Sequence, residues 1–138
     1  MKHRYAIAAD LPLLSRLNRQ LIEDEGSDNS MTIPELEQRM RRWLGSEHRA
    51  VLFEIGGEPV GYALFQPDEY GVYLRHFFIC RSFRRAGHGR RALEILRTRV
   101  FPKDCQVTLD VLEDNQAGLA FWQAVGFSNH ARKLKVRT

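Results

Sequence analysis

Cysteine is scarce in this chain, whose 138 residues include only Cys80 and Cys105. Two cysteines without a C-x-x-C pair exclude a disulfide framework and the common zinc-binding spacings. We therefore expect no metal and two reduced thiols, as in a cytoplasmic protein.

Long hydrophobic runs are also missing from the chain. No apolar stretch approaches the ~20 residues that cross a bilayer, and Asp10 and Pro12 cut short the one near the N-terminus. We expect neither a secretory signal nor a membrane partner. Internal repeats, low-complexity tracts and Pro- or Ser-rich linkers are absent as well, so the sequence predicts one domain over residues 1–138.

The charged residues are unevenly distributed along the chain. Hydrophobic residues make up 43% and charged residues 28% of the sequence, a balance that excludes collagen-like and wholly disordered chains. The net charge is +4, yet residues 81–103 hold eight basic residues and a single acid, Glu94. So strong a concentration of positive charge indicates an anionic partner near this segment.

The hydrophobic periodicity predicts an α/β fold. Strands are predicted at residues 3–8, 50–55, 59–65, 72–80 and 107–112, with a last edge strand through Leu134 and Val136. Helices are predicted from Asp10, from near Thr32, and over residues 87–100 and 115–125. Gly56 and Gly57 predict a tight hairpin, because glycine accepts the positive φ of such turns. The element order β-α-α-β-β-β-α-β-α-β implies a mixed sheet with helices on both faces.

The segment between the fourth predicted strand and the following helix is rich in glycine and arginine. Gly87 and Gly89 allow main-chain N–H groups to point into one concavity without obstruction by a Cβ. The helix start adds partial positive charge there, and the basic side chains beside it are those of Arg84, Arg85 and Arg90. Together these features predict a phosphate or diphosphate site.

Two familiar phosphate-binding motifs fit this segment poorly. A P-loop would need Gly-Lys-Ser or Gly-Lys-Thr, which is absent. Residues 87–92 match the dinucleotide fingerprint G-x-G-x-x-G/A, and Asp110 follows about 20 residues later, as a ribose-binding acid would. However, seven residues separate Ile79 from Gly87, whereas a nicotinamide site places its glycines at the immediate end of the first strand.

The motif spacing resembles that of another family more closely. Ile79, Arg84, Gly87 and Gly89 are similar to V-x(4)-[RQ]-x-x-G-x-[GA], a signature of the GCN5-related N-acetyltransferase (GNAT) family. Residues 109–127 resemble the family's later strand and its N-x-x-[AG]-x-x-[FL]-[YW]-x-x-x-G-F helix. The resemblance is specific over residues 73–127, and the N-terminal half agrees only in element order. It implies a mixed, mostly antiparallel GNAT-type sheet.

The resemblance also implies a ligand and a reaction. The acetyl donor would be acetyl-CoA, and a neutral primary amine would attack the thioester directly, which calls for a base. The residues assigned to CoA by this resemblance are Phe77, Phe78, Ile79, Arg84, Arg85, Ala86, Gly87, His88, Gly89, Arg90, Asn115 and Trp122. A homodimer is also implied, since dimers are frequent in the family.

The catalytic residues depart from the family pattern. Many members have a tyrosine as general acid where this chain has Trp122, whose indole is only a hydrogen-bond donor. The strand over residues 73–77 lacks the family's frequent acidic base, and His76 is its one side chain that titrates near neutral pH. We take His76, Tyr73 and Asn115 as the candidate catalytic set. Simple alternation would place His76 on the face opposite Arg75 and Phe77.

The sequence does not identify the amine that accepts the acetyl group. Glu23 and Glu25 lie in an acidic stretch where the family admits its acceptor, and Arg75 is a candidate to orient a substrate carboxylate. The acceptor candidates are a polyamine-like or amino-acid-like amine, an aminoglycoside-like compound, and a protein N-terminus or lysine. Two other functions stay open: a CoA-binding regulator without turnover, and a nucleic-acid-binding module that uses the basic helix. No nucleic-acid reader motif supports the latter, so we expect no nucleic-acid partner.

Overall fold

A five-stranded sheet forms the centre of the molecule, with its strands in the spatial order β1-β2-β3-β4-β5. The computed structural model describes residues 1–138. The strands are β1 (Lys2–Tyr5), β2 (Arg49–Ile55), β3 (Glu58–Pro67), β4 (Gly71–Ile79) and β5 (Gln106–Thr108). The first four strands pair antiparallel, and β5 pairs parallel with β4. The predicted mixed, mostly antiparallel sheet is therefore confirmed.

Four α-helices cover the two faces of this sheet. They are α1 (Leu11–Asp24), α2 (Ile33–Leu44), α3 (His88–Ile95) and α4 (Gln116–Ala124). Short 3-10 turns precede α1 and follow β4, and α3 continues as a π-helical turn over Leu96–Val100. No helix combines the length and the apolar character that spanning a bilayer requires.

Alternation along the strands creates two separate hydrophobic cores. Val51 and Phe53 of β2 pack on the α3 and α4 face, whereas Leu52 between them packs on the α1 and α2 face. Successive strand side chains point to opposite faces, so each face of the sheet buries its own set. The prediction of helices on both faces is confirmed.

Local signals explain where two elements begin. Gly56 and Gly57 form the β2–β3 turn with φ of +60° and +79°, the left-handed region that glycine tolerates. Thr32 and Glu35 form a capping box at the start of α2. The Thr32 amide donates to Glu35 Oε1 at 2.9 Å, and the Glu35 amide donates to Thr32 Oγ1 at 3.3 Å.

A β-bulge in β4 changes which side chains share a face. Leu64 of β3 pairs with His76, and the next β3 residue, Phe65, pairs with Leu74, so Arg75 has no partner. An extra residue in one strand reverses the alternation beyond it. His76 and Arg75 consequently both contact Trp43 of α2. The expectation that Arg75 lies opposite His76 is wrong for this reason.

The predicted last strand does not form. Residues 128–138 have no regular secondary structure, and Leu134 and Val136 are 84% and 86% exposed. These two apolar residues alternate with Lys and Arg, so pairing on β5 would bury little apolar surface. β5 itself ends at Thr108 rather than continuing to residue 112, and β1 ends at Tyr5.

Candidate functional site

A cavity opens where β4 and β5 separate. The two strands pair over only three positions, from Gly71–Gln106 to Tyr73–Thr108. Beyond Tyr73 they diverge, and a cavity of about 620 Å³ lies between the end of β4 and residues 109–112. The outer edge of β4 has no neighbouring strand along this stretch, so its main-chain groups face the cavity side without a ladder partner.

The turn after β4 forms one end of this cavity. None of the six main-chain amides of residues 85–90 donates a hydrogen bond to another atom of the chain. Gly87 adopts φ +79° with open space where a Cβ would lie, and Arg85 is also left-handed at φ +64°. At Gly89 a Cβ would lie 3.3 Å from Phe121 Cε1, so glycine lets the turn approach α4. A run of unpaired amides at a helix start is an anion-binding arrangement.

Arg84 is held by the chain itself. Its Nε donates to the Ile79 carbonyl at 2.8 Å, and its guanidinium forms an ion pair with Asp24 at the end of α1. Burial alone would raise the pKa of Asp24, but hydrogen bonds from Arg84 and Arg81 outweigh it and lower that pKa. Arg85 and Arg90 line the cavity without any ion pair, so the guanidiniums of these two turn residues are left free for an anion.

The start of α4 forms the opposite wall. Asn115 caps this helix, since its Oδ1 accepts a hydrogen bond from the Gly118 amide at 3.0 Å. A Cβ on Gly118 would lie 2.4 Å from Asn115 Nδ2, so the cap requires glycine there. Trp122 packs edge-on against Phe77 with ring centroids 5.3 Å apart, which ties α4 to β4.

The structure brings together most residues that the sequence assigned to CoA. Those that line the cavity are Phe77, Phe78, Ile79, Arg84, Arg85, Gly87, His88, Gly89, Arg90, Asn115 and Trp122. Ala86 does not line it. The part of the lining that sequence reasoning missed includes Leu109 and Asp110, the latter suggested by the sequence only as a ribose ligand. Both lie inside the strand predicted over residues 107–112, but they follow the observed end of β5 at Thr108, where it leaves β4.

The end of α1 borders the cavity with two acids. Asp24 and Glu25 line it, whereas Glu23 does not and instead pairs with Arg19, Oε1 to Nε at 3.5 Å. Glu25 makes no ion pair. Burial, followed by the nearby charge of Asp24, raises the pKa of Glu25. Arg75, the third candidate substrate residue, also lines the cavity.

His76 and Tyr73 lie outside the cavity lining. His76 Nδ1 is 3.0 Å from the Tyr62 hydroxyl. Burial, and then the charges of Arg39 and Arg75, lower the pKa of His76 to about 3. His76 is therefore a neutral, packed imidazole at neutral pH.

Tyr73 contacts the cavity only through a neighbour. Its hydroxyl donates to Asp110 Oδ2 at 2.9 Å. Burial, followed by this hydrogen bond, raises the pKa of Tyr73 to about 12. The phenol is therefore protonated at neutral pH, and it orients the Asp110 carboxylate at the cavity wall.

The residues present suit CoA in their chemistry. Unpaired amides with Arg85 and Arg90 match a diphosphate. The free edge of β4 matches an extended amide-bearing arm, which would add to the sheet as a strand does. No group of three or more His, Cys, Asp or Glu side chains is arranged to hold a metal ion.

A comparison with protein families gives a match over most of the chain. The model of the acetyltransferase (GNAT) family matches residues 18–127. Both motif segments described above fall inside this range, which confirms the family resemblance. A comparison with curated proteins finds no match.

Several solved structures share the fold. A Bacillus halodurans protein, crystallised as a mutant, has a TM-score of 0.79 at 17% identity, covering 100% of this chain and 99% of that one. An aminoglycoside antibiotic 6′-N-acetyltransferase from Acinetobacter haemolyticus has a TM-score of 0.77 at 16% identity, and the match covers 100% of this chain and 98% of that one. A predicted acetyltransferase from Clostridium acetobutylicum, solved with acetyl-CoA, has a TM-score of 0.72 at 14% identity, and the match covers 99% of this chain and 95% of that one. At these identities the likeness concerns the fold alone.

Proposed function

We propose that this chain, which belongs to the acetyltransferase (GNAT) family, is a single-domain, acetyl-CoA-dependent N-acetyltransferase that acts on a primary amine of a small molecule or peptide. One observation carries the proposal. The six amides of residues 85–90 have no partner in the chain, and they lie at the end of the cavity that opens where β4 and β5 separate. A row of free amide donors at the start of a helix is an arrangement that binds an anionic ligand.

The parts of CoA find matching groups along the cavity. The amides of the turn, with Arg85 and Arg90, would bind the diphosphate by charge-assisted hydrogen bonds. The edge of β4 at residues 77–79 would bind the pantetheine arm, and Asn115 and Trp122 would form the facing wall. The bound thioester would supply an activated acetyl group, and residues of this chain would bind the acceptor and remove the proton from its amine.

A base is required because the acceptor amine must lose a proton. A lysine-like amine has a pKa near 10.4 and is almost fully protonated at neutral pH. Glu25 lines the cavity on the α1 side, and the raised pKa of its unpaired carboxylate makes it a better proton acceptor than an exposed glutamate. His76 is a weaker candidate, because it is buried against Tyr62 away from the cavity. We assign proton removal, directly or through water, to Glu25.

The departing thiol has no obvious proton donor in the chain. Trp122 occupies the place of the family's usual tyrosine, and its contacts are packing contacts with Phe77 and Phe121. A thiol has a pKa near 8.5, so a thiolate can leave and take its proton from water. Turnover without a strong general acid is consistent with this chemistry.

The direct test is an acceptor screen with acetyl-CoA. Thiol release would be followed for a panel of amines, with mass detection of the acetylated product. The matched variant is Gly89→Glu, because a side chain there would meet Phe121 and put a negative charge beside the turn. We expect turnover by the wild-type protein and loss of CoA binding in the variant. Tight CoA binding by Gly89→Glu would contradict the assignment of the turn.

One alternative has a specific observation in its favour. The tryptophan at position 122 fits a CoA-binding regulator that keeps the fold without turnover. Saturable CoA binding together with no acetyl transfer to any amine of a broad panel would favour that function. A nucleic-acid-binding role is less favoured, since Arg84, Arg85 and Arg90 of the basic segment line the cavity.

A further inference from the structure

Two arginines share one tryptophan at the acceptor side of the cavity. The guanidinium carbon of Arg39 lies 4.5 Å from the centroid of the Trp43 ring, and that of Arg75 lies 5.1 Å from it. Neither arginine forms an ion pair with any Asp or Glu. Two guanidinium charges are thus held close together without a carboxylate to balance them.

Arg75 is oriented by a group that leaves its charge intact. Its Nε donates to His48 Nε2 at 3.0 Å, while both of its Nη atoms lack hydrogen-bond partners in the chain. Burial, and then the charge of Arg75, lower the pKa of His48, so the imidazole is neutral. Because Arg75 also lines the cavity, its two free Nη groups are available to a ligand there.

Arg39 adds a second positive charge beside Arg75. Its Nη2 donates to the Asn18 side chain at 3.2 Å, and its Nε is buried with no partner. Burial, and then the charge of Arg75 among its neighbours, lower the pKa of Arg39. A buried donor and two like charges are costly unless a ligand compensates them. Arg39 does not line the cavity, so it acts through its charge and its packing on Trp43.

We propose that the acceptor carries an anionic group, a carboxylate or a phosphate ester, which Arg75 binds with the support of Arg39 while the acceptor's amine faces Glu25. The inference rests on the proposed acetyltransferase function and names its substrate class. The planar guanidinium presents paired N–H groups that match a carboxylate or phosphate in a bidentate manner. Glu25 and Arg75 both line the same cavity of about 620 Å³, so one small molecule held there can meet both charges.

The same arrangement disfavours polycationic acceptors. A polyamine or an aminoglycoside would bring further positive charges toward Arg75 and Arg39. Asp24 offers little compensation, because Arg81 and Arg84 already neutralise it. The fold shared with an aminoglycoside acetyltransferase therefore does not by itself point to an aminoglycoside acceptor.

The test compares matched acceptors that differ only in their anionic group. L-amino acids would be assayed against their carboxamides, and phosphoethanolamine against ethanolamine, with spermidine and kanamycin as polycations. We expect kcat/KM to favour the anionic member of at least one pair by about 10- to 100-fold, as charge-assisted hydrogen bonds imply. The pair with the larger ratio tells a carboxylate from a phosphate ester.

Variants separate binding of the anion from a general loss of fold. Arg75→Ala should bring the ratio of kcat/KM between the anionic acceptor and its neutral partner close to one, mainly through KM. Arg39→Ala should lower this ratio less. Arg41→Ala, an exposed residue of α2 without side-chain partners, should leave it unchanged. The Kd of CoA should be unaffected in all three variants.

Three results would overturn the inference while leaving the acetyltransferase function in place. They are equal use of both members of every pair, a preference for spermidine or kanamycin, and a ratio unmoved by Arg75→Ala. Failure of the wild-type protein to bind CoA would overturn the proposed function, and the inference with it.

Discussion

The carboxylate of Asp24, the last residue of α1, forms an ion pair with the guanidinium of Arg84 in the turn after β4. Arg84 also donates to the carbonyl of Ile79, where β4 ends. Two parts of the proposed site, the acceptor wall on α1 and the anion-binding turn, are thereby joined through one arginine. A substitution of Asp24 should consequently affect both the acceptor wall and the anion-binding turn.

Asp24→Asn should lower stability in a pH-dependent manner. The folded-state pKa of Asp24 is below its ordinary value of about 3.9. A lowered carboxyl pKa contributes stability that is present above the unfolded-state value and lost as the pH falls through the folded-state value. We expect a deficit of about 0.2–1 kcal/mol near pH 7, typical of partly exposed ion pairs. Urea unfolding from pH 7 to pH 3 should show the deficit shrinking below about pH 4, and a constant deficit would contradict this account.

Gly87→Ala tests the turn against a matched glycine elsewhere. Gly87 and Gly57 share a φ of +79°, and at both positions a Cβ would have no other atom within 4 Å. Each alanine should cost about 1–2 kcal/mol of stability, because both positions are left-handed. Only Gly87→Ala should weaken CoA binding, by at least about tenfold, since it disturbs the amide row. Equal CoA affinity in the two variants, measured by calorimetry, would argue against the turn as the binding element.

Glu25→Gln should reduce turnover without loss of fold. The glutamine keeps the shape of the side chain but accepts no proton, so we expect a fall in kcat of about 10²- to 10⁴-fold and an unchanged Kd for CoA. Burial raises the folded-state pKa of Glu25, and a raised carboxyl pKa costs stability as the pH rises through it. The variant should therefore be at least as stable as the wild type at pH 7.

Glu23→Gln is the control for this change. Glu23 is two residues away, its side chain is 62% exposed, and it does not line the cavity. The Glu23→Gln variant should retain the kcat of the wild-type protein. A loss of the same size in both variants would point to the general charge of the α1 terminus rather than to a base at position 25.

Asn115 variants separate a structural role from a binding role. Asn115→Ala removes the cap of α4 and should cost about 0.5–2 kcal/mol. Asn115→Asp keeps the capping oxygen but loses the Nδ2 group and adds a negative charge to the cavity wall. We expect the aspartate variant to unfold like the wild type yet bind CoA more weakly. Wild-type CoA affinity in Asn115→Asp would limit Asn115 to its capping role.

Signals within a few residues of one another predicted much of the fold and the turn. The hairpin at Gly56 and Gly57, the capping box at Thr32 and the glycines at 87 and 89 each depend on local conformation, which is readable from residue type. The pattern of apolar residues likewise predicted the five strands that form, although β5 is shorter than expected. The same local reasoning placed the cavity's turn correctly between β4 and α3.

Features that depend on distant packing were not predictable in this way. The bulge at Arg75 arises from the register of β4 with β3, and no residue type in β4 indicates that a bulge will form. The environment of His76 depends on Trp43 and Arg39, which α2 brings over the sheet from more than 30 residues earlier in the chain. The last strand was predicted from the alternation around Leu134 and Val136, but alternation without enough apolar area does not hold a strand in place.

The most direct test of the central claim is an amide NMR titration of the ¹⁵N-labelled protein with CoA. We predict saturable shifts concentrated in the amides of residues 85–90, while those of Gly56 and Gly57 stay unmoved. Shifts elsewhere that leave residues 85–90 unchanged, or an equal response of these amides to NADH, would contradict the claim.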